Sequence, residues 1–137
     1  MMKSVLVILI LLTVVSLLIL SRTDFLRSRR ADVGMVRNPI APTPEALAVG
    51  SRIYQQHCAV CHGLDGTGHG PGSLGLNPRP ADLRVHTAMG HSDGELFRGI
   101  SNGVAGTAMP AFRSTLSEED RWYVVTFIRI TFTPADK

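Results

Sequence analysis

Gly50-Ser51-Arg52-Ile53-Tyr54-Gln55-Gln56-His57-Cys58-Ala59-Val60-Cys61-His62-Gly63 decides how this chain folds. Just before it, Thr43-Pro44-Glu45 reads as a helix start: a hydroxyl at the N-cap, proline at the first helical position and a carboxylate in the first turn. Leu47, Gly50, Ile53 and Tyr54 then recur at helical spacing and lead into His57-Cys58. The helix thus delivers two thiols, three positions apart, to one short turn. They are the only cysteines in 137 residues. A disulfide across so short a loop would add little, because the chain-entropy benefit grows with loop length.

Further along, Ser92-Asp93-Gly94-Glu95 forms a capping box before Leu96, Phe97 and Ile100, and Asn102-Gly103 closes that helix. Ser117-Glu118-Glu119-Asp120 opens another, with Trp122, Val125, Ile128 and Phe132 on one face and Pro134 to stop it. No alternating strand pattern stands out. The expected class is all-α, with three main helices joined by long glycine- and proline-rich loops. Too few apolar side chains are present to fill a core unaided, and a flat apolar cofactor would supply the missing part.

Cys58-Ala59-Val60-Cys61-His62 provides the means of holding one. Two thiols at this spacing can each add to a vinyl group of a porphyrin, and the following histidine then stands under the iron. C-x-x-C-H is the signature of c-type haem attachment. The sequence therefore predicts one covalently bound haem c, with its iron, held by Cys58 and Cys61 as thioethers and by His62 as proximal ligand. A thioredoxin-like dithiol expects a preceding strand, and here a helix precedes. A zinc site would need four ligands, and His57, His69, His86 and His91 show no paired spacing; they read as loop or solvent-facing residues. For the distal ligand, Met109 in Gly106-Thr107-Ala108-Met109-Pro110 is favoured, since a thioether is soft and neutral and raises the potential. Met89, in His86-Thr87-Ala88-Met89-Gly90, is its rival.

From about Glu45 to Phe132 the chain resembles a class I cytochrome c of the kind found as domains or subunits of bacterial respiratory or photosynthetic complexes. The stretch quoted first carries the resemblance, with Asn77-Pro78-Arg79-Pro80-Ala81-Asp82-Leu83 and Asn102-Gly103 through Phe112. It implies the class I cytochrome c fold around one covalent haem, and Met109 as distal iron ligand. It further implies that Gly50 lets the first helix of the domain cross the last against an aromatic, most simply Phe127. Pro71 matches the proline whose carbonyl takes the Nδ1 proton of the proximal histidine, and Arg79 falls where a haem propionate is paired.

Ser4 to Leu20 runs 17 residues without a charge. The run exceeds the ~7–15 apolar residues of a signal peptide, and no small-residue cleavage site follows it. The expectation is an uncleaved signal-anchor: a single transmembrane helix over residues 1–21, an Arg- and Pro-containing tether over 22–43, the cytochrome domain over 44–133 and a tail over 134–137. Basic residues on the C-terminal side of the run would hold that side in the cytoplasm, whereas haem attachment in bacteria takes place outside. Following the chemistry, the sequence predicts a single-pass protein of the cytoplasmic membrane with its haem domain on the outer side.

The +3 net charge is unevenly spread. Residues 1–44 carry six basic side chains against Asp24 and Asp32, while residues 45–137 carry eight basic against nine acidic. A nearly neutral body argues against nucleic acid as a partner. Gly70-Pro71-Gly72-Ser73-Leu74-Gly75 fits G-x-G-x-x-G but lacks the strand and helix a dinucleotide site requires. The function expected is outer-sphere single-electron transfer by an electron carrier without a small-molecule substrate. Its partners would be redox proteins, foremost within a quinol-oxidising or haem-copper oxidase complex of a respiratory chain. A free-standing anchored shuttle is the alternative, and a haem sensor or peroxidase-like enzyme is disfavoured by Met109-Pro110.

Overall fold

The computed structural model describes residues 2–34 and 36–133, with side chains over 8–24 and 36–133. Its helices are α1 (Met2–Gly34), α2 (Pro44–His57), α3 (Ala59–His62), α4 (Leu83–Ala88), α5 (Asp93–Asn102) and α6 (Glu118–Phe132), with a 3-10 turn at Pro71–Ser73. No strand occurs among the described residues. The chain divides into two units, Met1–Val33 and Gly34–Lys137. The expected tail over 134–137, Pro134 included, lies outside the described residues.

Helix α1 corrects the expected anchor. Among the described residues no helix is long and apolar enough to cross a membrane. The transmembrane helix is therefore withdrawn, and with it the single-pass placement in the cytoplasmic membrane and the orientation argued for it. The physical reason is length. At ~1.5 Å per residue the uncharged run reaches ~25 Å, short of a ~30 Å hydrocarbon core. Beyond Leu20 the same helix continues into a segment holding Arg22, Asp24, Arg27, Arg29, Arg30 and Asp32. Residues 22–34, read from sequence as part of a tether, have helical backbone; no proline or glycine interrupts the stretch before Gly34.

The second unit is built on the crossing of α2 and α6. Thr43 caps α2, its hydroxyl accepting from the Ala46 N–H at 3.2 Å, with Pro44 in the first turn. At Gly50 the two helices touch: a Cβ there would lie 2.8 Å from the Phe127 Cβ and would strike the Tyr123 carbonyl. Around this contact Tyr54 packs on Phe127 and Phe132, with ring centroids 5.2 and 5.3 Å away. Helix α6 buries Trp122, Val125, Ile128 and Phe132 as its periodicity indicates, and also Val124 and Thr126. Val124 and Val125 are wholly inaccessible, and side chains so buried each contribute about 1.5–3 kcal/mol. This helix is the spine of the domain.

Helix α5 begins with the Ser92–Glu95 capping box and lies on α6 through Phe97, whose ring stacks on Trp122 at 3.9 Å and 13°. Arg121 covers the same Phe97 ring, 4.9 Å from its centroid. Ahead of α2, the expected tether is partly docked: Asn38 donates to the Thr126 hydroxyl at 2.8 Å and to the Trp122 carbonyl at 3.3 Å. Residues 36–43 thereby strap onto α6.

Candidate haem-binding site

The thiol-bearing turn follows from how α2 ends. Cys58 closes α2 and opens α3, and its carbonyl accepts from the N–H groups of Cys61 at 3.1 Å and His62 at 2.9 Å. One helical turn thus carries both sulfurs and the imidazole. Both cysteines are reduced and half-buried. Burial, with the neighbouring Cys61 adding to it, pushes the Cys58 thiol up to about 12. At neutral pH this group is protonated, whereas a disulfide-exchanging dithiol needs a thiolate. Behind the turn stands the glycine-rich loop. The Gly70 N–H donates to the Cys61 carbonyl at 3.0 Å, and the Gly72 carbonyl lies 3.9 Å from the Cys61 sulfur. The G-x-G-x-x-G match is this backing loop, with a 3-10 turn at Pro71–Ser73 where a dinucleotide site would open a helix.

His62 Nδ1 lies 3.0 Å from the Ala81 carbonyl. Ala81, and not the expected Pro71, is the backbone partner of this imidazole. Gly68 explains the exchange. Its N–H donates to the His62 carbonyl at 2.8 Å, and its missing side chain admits the Pro80 and Ala81 carbonyls, the latter 3.3 Å from where a Cβ would stand. The segment after Pro80 therefore runs beside the histidine, while Pro71 stands behind the thiols. Burial lowers the His62 pKa, the Ala81 carbonyl opposes that shift, and His86 adds to it. The imidazole is neutral at pH 7, the state a metal ligand requires.

Tyr54 was not anticipated at the site. It is fully buried, and its hydroxyl donates to the Gly63 carbonyl at 2.7 Å. Burial raises its pKa, so it remains a donor. The sequence signal is its place one helical turn before Cys58.

Met109 and Met89 part company in the structure. Met109 packs partly buried against the main core, as does Cys58. Its N–H donates to the Thr107 hydroxyl at 3.1 Å, and its carbonyl accepts from Val104 at 3.3 Å. Below it, the Phe112 and Arg113 N–H groups donate to Ile100 and Ser101 at the end of α5, pinning the loop. Met89 closes the short α4 and is 72% exposed. Arg79 is exposed and donates to His69 Nε2 at 2.8 Å, while His69 Nδ1 lies 3.0 Å from the Thr67 carbonyl. His86 and His91 stack at 4.7 Å, and His57 meets the edge of Phe112.

The donor set fits the group that the motif implies: two reduced thiols on one turn, a neutral half-buried imidazole, and a thioether at the edge of the core. A small helical domain closed around such a turn defines the class of c-type cytochromes. Residues 45–128 match the family described as cytochrome c oxidase, cbb3-type, subunit III, and the chain belongs to that family. It is 34% identical over 85 residues to cytochrome c55X of Stutzerimonas stutzeri, a match covering 62% of this chain and 67% of that protein. Among solved structures it is similar to the reducing HAO-like protein complex of Kuenenia stuttgartiensis, with 28% identity and a TM-score of 0.61. That match covers 74% of this chain and 49% of the other. The KustC0563 c-type cytochrome matches at 26% identity and a TM-score of 0.51, covering 62% of this chain and 98% of its own. The protein is accordingly an electron carrier: a c-type cytochrome with covalent haem c, exchanging electrons with redox proteins.

Proposed function

We propose that Cys58 and Cys61 form the two thioethers, that His62 and Met109 are the proximal and distal iron ligands, and that the chain serves as the electron-transferring subunit of a larger redox complex. Bound in this way, haem c supplies a one-electron couple tuned by its axial ligands and its burial. The rest falls to the chain. The Ala81 carbonyl accepts a hydrogen bond from the Nδ1–H of His62, which leaves Nε2 as the ligating nitrogen. The loop anchored to α5 presents the Met109 sulfur with little freedom, and His62 and Met109 together would hold the iron for electron transfer without bond-making. Arg79, anchored by His69, is the propionate partner. The observation that carries the reading is the contrast between Met109, packed against the core with Cys58, and the exposed Met89. The subunit role is favoured by the description of the family as an oxidase subunit and by the likeness to a chain of a multi-protein complex. The family's description favours a haem-copper oxidase as the partner assembly, with a quinol-oxidising complex as the alternative.

The test is Met109→Ala in the holoprotein. It should abolish the weak far-red band of ferric iron bound to thioether sulfur, admit cyanide readily, and lower the potential by on the order of 100 mV, roughly fiftyfold in the one-electron equilibrium. Met89→Ala should change none of these. The reverse pattern would transfer the role to Met89.

A further inference from the structure

We propose that Tyr54 is a positioning residue for the proximal ligand, its hydroxyl fixing the backbone that carries His62; this rests on the reading of His62 as that ligand. The Tyr54 hydroxyl reaches the carbonyl of Gly63, the residue directly after His62, where the chain leaves α3 at a φ of +77°. Three successive carbonyls around the histidine are held: Cys61 by the Gly70 N–H, His62 by the Gly68 N–H, and Gly63 by Tyr54 at 2.7 Å and by the Gly66 N–H at a longer 3.3 Å. The three N–H donors belong to the loop that follows the histidine and move with it. Tyr54 alone of the four belongs to α2, whose place is set by its crossing with α6 at Gly50.

Packing does not require this hydroxyl. A phenylalanine would make the same ring contacts with Phe127 and Phe132. What the oxygen adds is one polar contact inside an apolar cluster, and such a group is tolerated only when it is hydrogen-bonded. The same helix pair reaches the loop a second time, because Phe132 lies against Gly66, its ring carbons 2.9–3.0 Å from where a Cβ would stand. Tyr54 and Phe132 therefore refer the loop after His62 to α2 and α6, and among the described residues of these two helices only Tyr54 does so through a directional bond.

The test is the NMR spectrum of the ferric holoprotein, in which ring protons of an iron-bound imidazole are displaced by the unpaired spin. The wild-type spectrum should contain such a set that is absent from His62→Ala. If it does not, the proximal assignment fails and this proposal falls with it. Given that set, Tyr54→Phe should shift the His62 resonances. Phe127→Leu, which loosens the same aromatic cluster without touching the hydrogen bond, should leave them in place while lowering Tm at least as much. Unchanged resonances in Tyr54→Phe, or equal displacement in both variants, would overturn the positioning role with the proximal assignment intact. A measurement on the wild type covers failure of the variant to accumulate: the Tyr54 hydroxyl proton should exchange slowly and lie close to the Gly63 α-protons. Its absence there would also overturn the proposal.

Discussion

Asp82 caps α4 one residue after the carbonyl that holds His62. It accepts from the Arg84 N–H at 3.0 Å and pairs with the Arg84 guanidinium at 2.7 Å. That guanidinium is the main cause holding its carboxyl at about 2, against an ordinary 3.8. A carboxyl depressed on folding contributes stability that is complete above its unfolded pKa and is lost as pH falls through its folded one. The window runs from about 3.8 down to about 2. Asp82→Asn should therefore flatten the fall in stability across that window, read by denaturant unfolding at successive pH values; an unchanged slope would remove Asp82 from the acid response. At this scale, legibility follows chemistry. Cys58, Cys61 and His62 stand out in the sequence because covalent attachment demands those residue types at that spacing. Ala81 and Gly63 could not, since each acts through a backbone carbonyl that every residue possesses. Pro71 was nominated through resemblance, and the structure gives its expected bond to Ala81.

Two glycines separate the demands of packing from those of propensity. Gly50→Ala would place a Cβ against the Tyr123 carbonyl and 2.8 Å from the Phe127 Cβ. Such overpacking costs about 1–3 kcal/mol, or roughly 4–8 °C in Tm per kcal/mol for a domain of this size. Gly99 lies inside α5 with nothing within 4 Å of an added Cβ. Gly99→Ala should stabilise by about 0.5–1 kcal/mol, through the helix propensity that glycine lacks. Calorimetry of both variants is the check, and a Gly50→Ala protein as stable as wild type would mean that α2 and α6 do not cross there. The main helices were legible because Thr43, Ser92 and Ser117 announce them and apolar residues keep their period. Helix α4 was not, since six residues are too few to show a period. The strap over 36–43 was hidden for another reason. It is held by Asn38 contacts to residues 84 and 88 positions away, which no local pattern encodes.

Charge and apolar length pull the two ends of the chain apart. The N-terminal run tempted a membrane reading because it is uniformly apolar, yet it stops short of a bilayer and its helix continues through charged residues to Gly34. Five of the seven charges over residues 1–34 are basic, whereas residues 45–137 nearly balance. Residues 45–137, which include the stretch matching the cytochrome family, nearly balance, so their own field on an approaching reagent is weak. Screening acts in proportion to the charge it screens. Between ionic strengths of about 0.01 and 0.1 M the Debye length falls from roughly 30 to 10 Å, a change that shifts rates steeply where a strong field steers encounter. Here the rates with one anionic and one cationic redox reagent should each change by less than about threefold over that range. Stopped-flow oxidation and reduction of the full chain would measure both. A steep fall with the anion and a rise with the cation would show the basic segment of α1 acting on the haem domain, and the balanced-surface account would then be wrong.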